Sequence, residues 1–515
     1  MDKYKVLLLG LYITGIIIGG GILALPFVAM DAGLPILIFL LVLFGAIFYI
    51  MYIRILNSVA CSIEGIAKIR PGLEIFDYAL EKSGLAKYGK MMFTVGLALY
   101  VIPADIVYML YGMKSIVALS EILDISADIA LIAVGLMSLL LVVVCSAYVV
   151  RIKRRYVGPH ESFLMKISMM LSIWLIGIGA LRFIGSYPVK VAVAVMAFCF
   201  SILIGEYFPD RVFRISYDIY DLGGLQPKHK VGSYLTLAKV ILILMIPIVA
   251  FVLIVTTSGI AQGIPIAPRS AQSVVYSTTI IIFMYVGSGV YNILVYRWVS
   301  SRMEIGKKAV YIAILLSMAT YIIFTLLILF SVDADILVAS DLNREHAFIA
   351  LSRKLTLIGL TELGYATIVA ANIFALVSVA VAYMGFTETL SERVKIDIGT
   401  NASTVWLTIT FLLGIAAILL EIFDVTRFAT DALGIAGNAG GGMFALILPW
   451  LLESENSTKN IAMAIIFLIV IVLLNISLML GGATIVTVIS AIISTMLIIV
   501  FSSLAIIEAT KANKQ

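Results

Sequence analysis

Apolar residues run through this chain in long, nearly unbroken blocks, separated by short polar clusters. A helix needs about 20 mostly apolar residues to cross the hydrocarbon core of a bilayer. Fourteen blocks reach that length, at roughly 5–29, 34–57, 92–118, 128–150, 163–184, 189–208, 232–256, 274–298, 308–331, 361–388, 403–421, 428–452, 460–480 and 483–508. The pattern predicts an all-α polytopic membrane protein with about 14 transmembrane helices and no soluble domain. Two connections are longer than the rest. Residues 58–91 contain "LEIFDYALEKSGL", which predicts a surface helix, and the mixed-charge stretch 332–360 reads as a solvated connection or as a lid over a substrate path.

Composition agrees with the pattern. Hydrophobic residues make up 62% of the 515 and charged residues 13%, against about 45–50% and 25% in soluble domains. The net charge of +5 says less than its distribution. With the N-terminus inside, the basic runs "RIKRRY" and "RWVSSRMEIGKK" share one side of the membrane, while only Arg182, Lys190, Arg269, Arg344, Arg353, Lys354 and Arg427 face the other. The positive-inside rule therefore predicts cytoplasmic termini in a cell membrane. No small-residue cleavage site follows the first block, which reads as a retained helix. Cys61, Cys145 and Cys199 are too scattered for a metal or redox pair.

Two blocks carry glycine where a helix should be strongest. "GIIIGGGILALPFVAMDAG" places Gly19, Gly20, Gly21 and Pro26 inside the first span, and "STTIIIFMYVGSGVYNILVYRW" places Gly287, Ser288 and Gly289 at the middle of the eighth. Glycine costs a helix interior about 1 kcal/mol relative to alanine and proline about 3. Close helix packing would explain either cluster alone. The two occupy corresponding positions in halves 1–256 and 257–515, and seven spans per half invert one half against the other. Interrupted segments so paired point to a secondary transporter's binding site. Unwinding frees backbone N–H and C=O groups, which the membrane interior tolerates only around a polar cavity.

These residues resemble a known family. "GGGILALPFVAMDAG" is similar to the first-helix signature of the amino acid/auxin permease family, within the amino acid–polyamine–organocation superfamily. "ANIFALVSVAVAYMGFTETLSE" and "ALGIAGNAGGGMFALILPWLL" are similar to the eighth and tenth core helices of aromatic amino acid permeases there. The resemblance implies the five-plus-five inverted repeat of the leucine transporter, with core helices 1 and 6 broken around the substrate. Fourteen spans exceed the family's usual eleven or so, and five core plus two peripheral helices per half accommodate them. "FLMKISMML" and "YLTLAKVILIL" both look like core helix 5 with its lysine.

Candidate substrate-binding positions are then Gly19, Gly20, Gly21, Ile22, Tyr108, Tyr285, Val286, Gly287, Ser288 and Gly289. Asp105 lies mid-span beside Pro103 and Tyr108, where a charge costs about 2.5–3.5 kcal/mol and so marks a pathway or a structural ion pair. Some proton-coupled members of the superfamily carry a lysine on core helix 5 in place of a sodium ion. Lys239 fits that role, and Lys166, nearer a span end, is the second choice. Sodium-coupled relatives show paired hydroxyls on core helix 8, which here are reduced to Ser378. Asn372, Ser288, Asn292 and Asn438 are candidates for helix-to-helix hydrogen bonds.

The expectation is a secondary transporter of amino acids with alternating access, coupled to H+ with Na+ as the alternative, needing no cofactor, no nucleic acid and no obligatory protein partner. An intramembrane enzyme would need a converging nucleophile and base or metal ligands, yet His160, His229 and His346 all fall in loops and no HExxH or P-loop lysine is present. A channel or receptor built on a transporter fold remains the rival class, and organic cations, polyamines or nucleobases are the rival substrates.

Overall fold

Long apolar blocks turn their backbone polar groups inward by coiling, since lipid offers no hydrogen bonds. The computed structural model describes residues 2–63, 73–104, 227–286, 303–342, 346–371, 374, 393, 433–452, 458–481 and 485–512. The spans expected at 128–150, 163–184, 189–208 and 403–421 lie outside these residues. Among the described residues, six helices are long and apolar enough to cross a membrane, or seven if one bent pair counts as a single span.

That bent pair is α1 (Asp2–Ile17) and α2 (Leu25–Ala32), joined through the 3-10 turn Gly20–Ala24 and angled at 57°. The helices that follow are α3 (Leu34–Ile63), α4 (Leu73–Lys82) and α5, which runs from Tyr88 through Ala104. Then come α6 (Pro227–Ser258), α7 (Ala271–Tyr285), α8 (Met303–Ser331), α9 (Ala334–Leu342) and α10 (Ala347–Leu357). A π-helical segment, Ala436–Ile447, leads through the short α11 (Leu448–Leu451) to α12 (Thr458–Gly481) and α13 (Ile485–Ala512).

The first helix is central. It packs along α8 and α6, while α3 lies against α8, α7 and α4, and the π segment against α12, α7 and α13. Close approach explains two glycines of α1: a Cβ on Gly15 would fall 1.9 Å from the Thr236 hydroxyl of α6, and one on Gly10 2.9 Å from Ile312 of α8. Outer faces stay apolar. Leu237, Ile241, Met245, Ile248 and Val252 form an exposed stripe on α6 at the three- and four-residue spacing of one helix face, as a lipid-facing surface must.

Two sequence expectations change in the structure. The stretch 332–360, expected as a solvated connection or a lid, is more than a solvated connection: α9 packs on α2, and α10 covers α8, α6 and the 3-10 turn, burying Phe348, Leu351 and Leu355. Lys354 ties it to Asp333 at 2.7 Å, and Arg269 holds Asp31 at 2.8 Å. The second change is the 428–452 block, whose described part is π-helical over twelve residues. Its glycines let that wide coil approach its neighbours. A Cβ on Gly437 would meet backbone atoms of Thr279 and Phe283 at 2.7 and 2.8 Å, and one on Gly440 would meet the Tyr100 nitrogen at 2.3 Å.

At the other end of the helices lies a second polar cluster. The predicted surface helix forms as α4, but Phe76, Ala79 and Leu80 are fully buried, and Arg393 pairs with Asp77 and donates to the Thr94 hydroxyl at 2.8 Å. The Glu508 carboxylate of α13 accepts from the backbone N–H groups of Lys87, Tyr88 and Gly89 at 2.9, 2.7 and 3.1 Å. A negative charge on the exposed N–H groups of a helix start is the favourable arrangement.

Candidate functional site

Helix α1 stops at Ile17, and Gly19 is extended, with φ −95° and ψ −167°. Any residue adopts those angles, so Gly19 is not there for left-handed backbone. Space is the reason nearby: a Cβ on Gly21 would come within 3.2 Å of the Met284 side chain. On the facing element, α7 ends at Tyr285, and Val286 leaves the helix with ψ 88°. The two helix ends meet around a narrow cavity lined by Ile16, Ile17, Gly19, Gly21, Tyr100, Phe283, Met284 and Val286. It has room for little more than a water molecule.

Interrupting a helix strands its last carbonyls, and a buried acceptor without a partner costs about 1–3 kcal/mol. Here side chains from other helices take them up. At the first break the Lys239 ammonium donates to the Ile18 carbonyl and, at 3.4 Å, to that of Gly15, and the Tyr321 hydroxyl donates to Ile17 at 2.8 Å. At the second, the Tyr52 hydroxyl donates to the Tyr285 carbonyl at 2.7 Å, and Tyr100 donates to Val286 and, at 3.4 Å, to Phe283. Lys239 is buried, with its Nζ 5.6 Å from the centre of the Phe374 ring. Among the described residues no carboxylate lies within ion-pair distance of it, so backbone carbonyls are its anchors.

Of the candidates from sequence, the structure brings Gly19, Gly21 and Val286 to one cavity and Gly20 to the turn beside it. Ile22 is fully buried but lies outside the cavity wall. Tyr285 also turns away: its ring stacks on Phe48 and meets Tyr321 edge-on, and its hydroxyl donates to the Leu41 carbonyl at 3.0 Å. Tyr108, Asp105, Gly287, Ser288, Gly289, Ser378 and Lys166 lie outside the described residues. Asn438, expected to bond across helices, is buried with neither amide atom paired. Sequence reasoning missed Tyr52, Tyr100 and Tyr321. Each sits in a mostly apolar run, where a buried hydroxyl must find an acceptor, but nothing in the run says which.

No family model matches the chain, and no curated protein matches it. Among solved structures, it is similar to a manganese transporter of Eremococcus coleocola, solved in complex with an aromatic bis-isothiourea substituted compound. The identity is 11%, coverage is 99% of this chain and 95% of that one, and the TM-score is 0.40. It is also similar to a Na+-coupled sialic acid symporter in a substrate-bound outward-open state, at 13% identity, 92% and 97% coverage and a TM-score of 0.32.

Proposed function

We propose that the protein is a secondary active transporter of amino acids that works by alternating access and couples uptake to protons. The observation that carries this reading is the pair of helix ends at Ile17 and Tyr285, meeting around one cavity. Backbone N–H groups around Gly20 and Gly21 receive the substrate carboxylate, and carbonyls around Val286 receive its ammonium group. Phe283 and Tyr100 shape the side-chain pocket, which widens from its present closed form when α10 lifts.

Lys239 supports the proton over sodium. Its ammonium sits among the carbonyls of the first break, the place a monovalent cation would otherwise take, and a lysine can release and regain a proton there. The test is uptake of labelled amino acids into proteoliposomes under an inward proton gradient in sodium-free buffer, beside a sodium gradient at fixed pH. Proton-driven accumulation is expected, and Lys239→Ala should abolish accumulation while sparing exchange of internal for external substrate. Stimulation by sodium alone would overturn the coupling assignment, and flux without saturable trans-stimulation would make the protein a channel.

A further inference from the structure

Asn438 in the π segment and Asn475 in α12 are both fully buried, and all four of their amide N and O atoms lack a hydrogen-bond partner. Register brings them together. A Cβ on Gly434 would contact Leu478 at 3.5 Å, and one on Gly442 would contact Ile471 at 2.6 Å, so the two segments run antiparallel and residue 438 comes level with residue 475. In a wide helix, positions 434, 438 and 442 lie near one face, which looks at α12 and, at its Gly434 end, where a Cβ would come within 3.0 Å of it, also meets the Thr279 hydroxyl of α7. Gly437 and Gly441 look the other way, onto α7 and Val286. Neither carboxamide lines the central cavity.

Burying unpaired amides in an apolar interface is costly, and such groups in folded proteins are satisfied by ordered water or an ion. The donor set selects between these. A metal cation would use the two carbonyl oxygens and leave both NH2 groups stranded, and an anion would do the reverse. Water accepts from one and donates to the other, and it needs only two to four polar partners. We infer that Asn438 and Asn475 form a second, internal polar site between the π segment and α12 whose ligand is water. The bound water bridges the two segments while Ile471 and Leu478 close the site on either side.

A structure of the purified full-length protein, without substrate, at a resolution that shows ordered water is the direct test. Density within about 2.7–3.2 Å of both side chains, unchanged when sodium and potassium are replaced by a bulky organic cation, is the expected result. Two carboxamides in direct contact with nothing between them would overturn the site. A peak that touches only the carbonyl oxygens and vanishes with the alkali ions would overturn water as its ligand. Thermal unfolding gives a second measure. Asn475→Leu and Asn438→Leu should each lower the melting temperature by several degrees, the double variant by less than the two losses together, and Asn475→Ser, which still holds water, by little. Single leucine variants as stable as the parent, or a serine variant as damaged as the leucine one, would count against the proposal.

Discussion

Tyr100 shows how much one hydroxyl does here. It donates to the Val286 and Phe283 carbonyls at the end of α7, while its ring packs on Phe283 at 5.4 Å and on Phe444 at 5.6 Å. Tyr100→Phe keeps the ring and removes the donor, leaving buried carbonyls short of a partner. The expected loss is about 1–3 kcal/mol, read as a lower melting temperature in detergent with the protein still folded. Transport should weaken as well, because Val286 is then free to drift at the cavity wall. An unchanged melting temperature would mean that the carbonyls find another donor.

At the scale of elements, the two breaks were readable and their caps were not. Clustered glycines flag weak helix at 19–21 and after 286, because a residue without Cβ announces lost propensity locally. The capping of those breaks was not legible: Tyr52, Lys239 and Tyr321 act across more than 200 residues, and a single sequence holds no record of such pairs. The π segment was illegible for a related reason. Its apolar periodicity looks α-helical, and its width answers to neighbours on three sides. That dependence separates its glycines. Gly440→Ala drives a methyl into the α5 backbone at Tyr100 and Gly96, whereas Gly442→Ala meets side-chain atoms of Ile471 and no backbone. Expression and melting curves should show severe loss of folded protein for Gly440→Ala and a mild change for Gly442→Ala.

For the whole molecule, the polar end that carries α9 and α10 sets a response to acid. Hydrogen bonding from Lys354 holds the Asp333 carboxyl below the usual carboxylate range, against its own partial burial and helped by the Gln262 N–H. Its contribution is therefore full above about pH 3.9 and is lost as pH falls through the lower folded value. Partial desolvation raises Asp341, which keeps an exposed face, the Asp31 carboxylate raises it further, and Arg269 opposes both. That sign is opposite: the ionised form strains the fold at neutral pH, and stability returns as the group protonates. Asp341→Asn should thus raise the melting temperature at pH 7 with the gain shrinking by pH 4, and Asp333→Asn should lower it at both. Each change is of the order of 1 kcal/mol or less, as partly solvated charges give. Melting curves from pH 4 to 7 check both directions.

The Glu508 carboxylate, closing the first turn of α5 from the far end of the chain, also has a meaning in time. A ribosome releases Lys87 into the membrane more than 400 residues before it makes Glu508. Throughout that interval α5 stands with bare N–H groups, and it carries Tyr100, the donor on which the second break depends. Synthesis and capping are therefore separated: the helices can insert in order, but α5 gains this cap only when α13 comes to lie against its first turn. A ribosome that stops a few residues short of Glu508 leaves α5 without the carboxylate that caps its first turn.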